Sequence, residues 1–186
     1  MKKIFLATMM IFMGGWAQAY EMGVTGGMQT MDVEDSTNTV EFNNKSGFYA
    51  GVLGFIDTGD GGYFRTGALL GQRGFSYDVS SSVTDVYKIT YLDVPLNYLF
   101  MFNEYAGIYG GLKLSLAVSD SCDVEGGSGI CNLDNVEGMA YAASVGGHFR
   151  FVPEFGIEVE YDLGLSDVAK DVEWKSSLTV GAFYLF

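Results

Sequence analysis

Between residues 92 and 100 the chain reads LDVPLNYLF, with Leu92, Val94, Leu96, Tyr98 and Phe100 on one parity and Asp93, Pro95, Asn97 and Leu99 on the other. The segment 155–165, FGIEVEYDLGL, alternates more sharply. It sets Phe155, Ile157, Val159, Tyr161, Leu163 and Leu165 against Gly156, Glu158, Glu160, Asp162 and Gly164. Alternation with period two places the two sets on opposite faces of a β-strand. Both runs reach nine residues or more, whereas strands of soluble sheets usually stop near five or six. No stretch after residue 20 carries a helical period or an apolar run long enough for a transmembrane helix.

The same alternation recurs in eight segments, at about 20–31, 47–56, 63–77, 88–101, 105–119, 136–150, 155–165 and 174–186. The segment 47–56 is apolar or small on both parities, so its lumen parity is open. Connections at 57–62, 102–104 and 151–154 are short, whereas those at 32–46, 78–87, 120–135 and 166–173 are mostly longer and acidic. One rim of tight turns and one of longer loops is the plan of an outer-membrane barrel with the turns on the periplasmic side. Strands of this length suit a tilted crossing of the hydrocarbon layer, and closure satisfies the backbone groups that lipid cannot. Aromatics at the strand ends are expected as two interfacial girdles. Tyr63, Phe64, Phe100, Phe102, Tyr105, Phe149, Phe151 and Phe155 mark the turn end; Phe75, Tyr77, Tyr87, Tyr91, Tyr141 and Trp174 mark the loop end.

Composition narrows the class. The chain is 48% hydrophobic and 15% aromatic with 26 Gly and 2 Pro, which excludes a disordered chain. Its formal charge of −13 would be repelled by phosphates and excludes nucleic acid as a partner. Lys2 and Lys3, the apolar stretch Ile4 to Met13 and the Ala17-Gln18-Ala19 pattern predict a signal peptide over 1–19, with the mature domain over 20–186. Loss of those two lysines would take −13 to −15. Export suits a disulfide between Cys122 and Cys131, the only cysteines; a zinc pair is the rival reading, with one His in the whole chain.

The run YFRTGALLGQRGFSY, then YLDVPLNYLF, GIYGGLKLSLAVS, FGIEVEYDLGLSDV and the aromatic end resemble the small outer-membrane β-barrel domains of the PorT-like and porin-family group. More distantly they are similar to the OmpA and OmpX barrels. The resemblance implies an all-β, eight-stranded, antiparallel up-and-down transmembrane barrel in the outer membrane of a Gram-negative bacterium. It brings no catalytic residue and no cofactor.

If the apolar parity faces lipid, the other parity predicts a lumen network of Glu21, Arg65, Arg73, Asp93, Lys113, His148, Arg150, Glu158, Glu160, Asp162 and Lys175. Eight strands leave an interior that side chains can fill, so these charges are expected to pair and plug it; a narrow path for ions or small solutes is the alternative. A turn centred on Asn103 would set Asp93 across from Lys113, and the 151–154 turn would bring His148 and Arg150 to Glu158. The last strand, LTVGAFYLF, places Leu178, Val180, Ala182, Tyr184 and Phe186 toward lipid. It must pair with the first strand to close the sheet. Tyr184 and Phe186 resemble the terminal signal read by the barrel assembly machinery.

The outer rim is acidic: Asp32, Glu34, Asp35 and Glu41, then Asp78 and Asp85, then Asp120, Asp123, Glu125 and Asp134, then Asp167, Asp171 and Glu173, with Lys45, Lys88 and Lys170 as local offsets. Such a rim suits solvation, divalent cations near lipopolysaccharide, or a basic macromolecular partner. No metal site is predicted, because the loops lack calcium-loop spacing. The sole histidine sits beside a periplasmic turn and there is no G-x-S-x-G, so an enzyme is not expected. An outer-membrane enzyme or a soluble periplasmic β-domain is the remaining rival, and a monomer is favoured. The barrel predicts recovery in the outer-membrane fraction and a heat-dependent gel shift; recovery in the periplasmic fraction would reject it.

Overall fold

The computed structural model describes residues 20–35, 42–80, 83–125, 136–169 and 172–186. Among the described residues there are nine strands: β1 (Tyr20–Asp35), β2 (Asn43–Gly59), β3 (Gly62–Ser80), β4 (Val83–Met101), β5 (Ala106–Glu125), β6 (Met139–Val152), β7 (Phe155–Gly164), β8 (Asp167–Ala169) and β9 (Val172–Leu185). Each long strand pairs antiparallel with its neighbour, and β1 also pairs with β9. The sheet therefore closes into an eight-stranded barrel. The short β8 is not one of the wall strands; it folds against the start of β9, is bridged to Val136 and buries Val168 and Ala169 in the upper interior cluster. The expected loop 166–173 thus carries a small hairpin.

Alternation sorts the side chains as the pattern requires. Val94 and its neighbours Leu96, Tyr98 and Phe100 face outward while Asp93, Asn97 and Leu99 are buried. On β7, Val159, Tyr161 and Leu163 are exposed while Glu158, Glu160 and Asp162 are buried. β2 resolves its ambiguous parity by turning Tyr49, Leu53 and Phe55 inward and Phe48 and Val52 outward. The outward face becomes polar near Gln72 on β3, Lys88 on β4 and Asp120 on β5. Below those positions an apolar band of ~25 Å is what a bacterial outer membrane accommodates.

Three expectations change. Of the segments read as long loops at 32–46, 78–87 and 120–135, residues 32–35, 43–46, 78–80, 83–87 and 120–125 are strand, because β1 to β5 extend well past the apolar band. The loop-end girdle is mostly interior. Phe75, Tyr87, Tyr91 and Trp174 are 1, 5, 0 and 2% exposed, and of the expected set Tyr141 alone is strongly exposed. The β3–β4 register runs without a break from Leu69↔Asp93 to Asp78↔Thr84. Alternation therefore carries Phe75, Tyr77, Tyr87 and Tyr91 onto the side that holds Arg73 and Asp93. At the turn end, Phe64, Phe100, Phe102, Tyr105, Phe149, Phe151 and Phe155 do face outward, while Tyr63 packs on the lower interior cluster.

The third change concerns register. Asn103 opens the β4–β5 turn rather than centring it: its Oδ1 accepts from the Tyr105 and Ala106 amides at 2.8 and 2.9 Å. That side-chain turn extends the connection to Tyr105. Met101 then pairs with Gly107, and Asp93 faces Ser115 while Lys113 faces Pro95.

Interior room is made by glycine. A Cβ on Gly146 would sit 2.3 Å from the Tyr109 ring on the neighbouring strand, whereas one on the outward Gly110 would meet its nearest atom at 3.4 Å. Gly146→Val is expected to lower urea-unfolding stability of the refolded barrel by ~1–3 kcal/mol through overpacking, with Gly110→Ala close to neutral; equal effects would refute the packing assignment.

Candidate functional site

The barrel interior is layered. At the periplasmic end Leu53, Phe55, Leu69, Leu99, Tyr109, Phe183 and Leu185 form an apolar cluster with Tyr49. At the other end Met31, Val33, Phe75, Tyr87, Ile89, Tyr91, Val168 and Trp174 form a second one. Arg65, Arg73, Asp93, Lys113, His148, Glu158, Glu160 and Asp162 are all buried on the same inward face.

Arg65 on β3 reaches across the lumen to Glu158 on β7. Its Nε and Nη2 donate to the two carboxylate oxygens at 3.1 and 2.6 Å, a fork-on-fork contact. Its guanidinium also lies 3.6 Å from Glu160 and 4.5 Å over the Tyr109 ring. Lys113 on β5 donates to Glu160 and to Asp162, the latter at 2.6 Å. Ser144 and Ser177 donate to the Asp162 carboxylate at 2.7 and 2.8 Å.

A second centre forms around Arg73, which donates to Asp93, Gln29 and Ser115. Its guanidinium faces the Tyr91 ring at 5.1 Å and the Trp174 ring at 4.8 Å. Aromatic faces stabilise a desolvated cation without adding a counter-charge. Gln29, Ser115, Ser144, Ser177, Tyr91, Tyr109 and Trp174 were not among the expected network residues. Inward parity is the signal that could have found all of them but Trp174, which turns inward only beyond an irregularity in the last strand.

His148 is fixed on both sides. Arg150 Nε donates to its Nε2 at 3.2 Å, so the ring proton sits on Nδ1 and is donated to Glu158 Oε1 at 2.9 Å. The ring stacks on Phe183 at 4.3 Å. Arg150 itself turns to Glu21 at 2.9 Å, at the periplasmic mouth, so its expected contact with Glu158 is made through His148.

Lys175 is a correction. It lies outside the lumen, 57% exposed along its side chain, and pairs with Glu34 at 3.0 Å. The cause is a bulge: Asp32 pairs with Ser176 but Val33 pairs with Trp174, which leaves one extra residue on β9. A bulge reverses inward and outward parity beyond it. The Glu34 hydrogen bond raises the Lys175 pKa. The ammonium is thus favoured in the folded chain, and the pair is lost only as pH rises past the ordinary lysine range. Asp85, expected on the rim, is also buried. With Lys175 outside and Glu21–Arg150 at the mouth, the sealed layer holds three cations (Arg65, Arg73, Lys113) and four carboxylates (Asp93, Glu158, Glu160, Asp162). The balance is −1 rather than the expected neutrality.

The acidic rim is present at Glu34, Asp78, Asp120, Asp123, Asp167 and Glu173, all exposed. Lys88 meets Asp123 at 2.9 Å in the open. Among the described residues no cluster of metal-ligand type is found. Glu41, Asp134, Lys170, Asp171 and Cys131 lie outside the described residues, so the expected bond from Cys122 to Cys131 does as well.

Removing one member of a buried pair strands the other charge. Arg73→Ala is expected to destabilise the barrel by ~3–5 kcal/mol, and the double replacement Arg73→Met with Asp93→Leu to recover most of that. Additive losses in urea unfolding would show that the two side chains are not coupled.

The comparisons with known proteins converge on this architecture. Structures similar to the chain include Ail of Yersinia pestis, at 17% identity and a TM-score of 0.53 over 89% of this chain and 98% of that one. Neisserial surface protein A matches at 14% identity and a TM-score of 0.54 over 91% and 100%. OprG of Pseudomonas aeruginosa matches at 12% and 0.50 over 91% and 97%. A search of curated proteins finds no match. The model of the outer membrane protein beta-barrel domain matches residues 16–170; it does not carry the narrower PorT-like label. The chain belongs to the outer membrane protein beta-barrel domain family and is an outer-membrane protein of the Gram-negative type.

Proposed function

We propose that this protein is a closed outer-membrane barrel whose role is structural and interactive, exerted by its outward rim rather than through its lumen. The observation that carries this reading is the interior itself. Arg65 is tied to Glu158 across the lumen, Lys113 to Glu160 and Asp162 two strands away and Arg73 to Asp93 on the neighbouring strand, and the charged layer lies between two apolar clusters. A hydrated ion would have to break buried pairs to pass, and each stranded charge would be expensive. A non-enzymatic role is supported by His148, fully buried between Arg150 and Glu158, where no substrate reaches it.

The rim sets the chemistry of the partner. Ail has been crystallised with a heparin analogue, sucrose octasulfate. Here the extensions of β3, β4 and β5 present Asp78, Asp120 and Asp123, which would repel such a polyanion. Divalent cations held at lipopolysaccharide, or a basic macromolecule, fit that field instead. Residues 1–19 act in this reading as a signal peptide and Cys122–Cys131 as a loop-closing disulfide.

Tyr184 and Phe186 are 52 and 73% exposed at the β1–β9 seam, where the Phe186 amide donates to Met22. They serve as the handle for the assembly machinery. Phe186→Asp is expected to slow the appearance of the heat-modifiable form in cells; an unchanged rate would remove that role.

Planar-bilayer recordings of refolded protein test the closed lumen. The expected outcome is no reproducible single-channel step. Steps that Asp93→Ala alters would establish the narrow channel instead.

A further inference from the structure

Among the described residues, six buried side-chain polar atoms have no hydrogen-bond partner; besides Tyr91 Oη and Trp174 Nε1 they are Asp93 Oδ1, Glu160 Oε2, Tyr109 Oη and Thr179 Oγ1. The last four belong to residues that are 2, 4, 2 and 7% exposed. All four of these residues, but neither Tyr91 nor Trp174, line one cavity of about 10 Å³, roughly the room that a single enclosed water needs. Of the four, Glu160 Oε2 has a charged neighbour, Arg65 Nη1 at 3.6 Å, beyond hydrogen-bond length. The four come from β4, β5, β7 and β9.

The donor count selects the occupant. The other oxygen of Asp93 accepts from Arg73, and the other oxygen of Glu160 accepts from Lys113. An ionised carboxylate oxygen only accepts, whereas the Tyr109 and Thr179 hydroxyls can each donate. Among themselves the four unpartnered oxygens therefore offer two acceptors and two donors, the complement of one water molecule. A bare cation would satisfy the carboxylates but leave both hydroxyl protons without an acceptor. It would also stand beside Arg65 and Lys113, which line the same space. A proton shared between the two carboxylates would likewise leave the hydroxyls unmatched.

We propose that this cavity is a specific site for one water molecule, which donates to Asp93 and Glu160 and accepts from Tyr109 and Thr179. The water joins the Arg73–Asp93 centre to the Arg65–Glu158–Glu160–Lys113 centre, so that two ion clusters become one network spanning the lumen. Buried waters of this kind make about three or four hydrogen bonds and are costly to remove. The proposal rests on the closed-lumen reading only for the slow exchange of the water with solvent.

The test uses the full barrel refolded into lipid nanodiscs. Water-to-protein nuclear Overhauser measurements are expected to show cross-peaks from a long-lived water to the Tyr109 ring and the Thr179 methyl group. The double variant Tyr109→Phe with Thr179→Val is expected to lose the cross-peak at position 109, while Thr179→Ser keeps it. If the double variant does not fold, a crystal structure of the wild type decides: a density peak within hydrogen-bonding distance of all four oxygens is expected. Cross-peaks that persist in the folded double variant would overturn the site, as would an empty cavity in the crystal. A melting midpoint that differs between sodium, potassium and choline chloride at equal ionic strength would assign a cation and overturn the water. Bilayer conductance with the slow water still present would refute the closed lumen and leave the water site standing.

Discussion

A charge inside a narrow lumen has little water to turn to, and this constraint organises the whole interior. Each cation must find a carboxylate, and each carboxylate needs hydrogen-bond donors for its remaining lone pairs. Arg65 meets this with a two-pronged contact to Glu158, Lys113 by bridging Glu160 and Asp162, and Arg73 with one carboxylate, two neutral acceptors and two aromatic faces. The serines at 115, 144 and 177 are small enough to fit between these groups and polar enough to complete them. The apolar clusters above and below then matter electrostatically as well as by packing, because they keep solvent from competing for the pairs.

The outer wall answers to a different solvent with the same backbone. Period two lets one strand present Val159 and Tyr161 to lipid and Glu158, Glu160 and Asp162 to the ion layer. Beyond the apolar band the rule relaxes. β3, β4 and β5 continue into water as paired strands, with Asp78 on β3 and Asp120 and Asp123 on β5 exposed, which also discourages edge-to-edge association of an extended sheet. The partner proposed above rests on the sign of that surface rather than on the shape of the barrel.

Much of this was legible in the chain. Strand number, closure and the inward parity of Arg65, Arg73, Asp93, Lys113, His148, Glu158, Glu160 and Asp162 follow from alternation alone. What failed did so at irregularities. The Asn103 side chain extends a turn by capping the Tyr105 and Ala106 amides, and this moves Asp93 away from Lys113 by one inward step. One extra residue near Ser176 reverses the face of Lys175. Both are local events, but only the bulge reverses faces, since a one-residue slip turns later side chains over, whereas the turn moves the register by two and leaves Asp93 and Lys113 inward. The upper aromatics were misplaced for another reason. Position near a strand end suggested a girdle, whereas parity already put Phe75, Tyr87 and Tyr91 beside Arg73. The pairing across the lumen had no sequence signal at all, because Arg65 and Glu158 stand 93 residues apart.

The Arg65–Glu158 contact has a consequence for how the barrel can be made. β3 and β7 lie four strands apart in either direction around the eight-stranded wall, so the two residues are on opposite sides of the lumen. No growing hairpin and no half-built sheet contains both in reach of each other. A partly assembled wall would hold the guanidinium on one arm and the carboxylate on the other, each still needing water. Neutralisation of the interior and closure of the seam are therefore a single event, and the charged layer makes an open sheet in the bilayer an unstable intermediate.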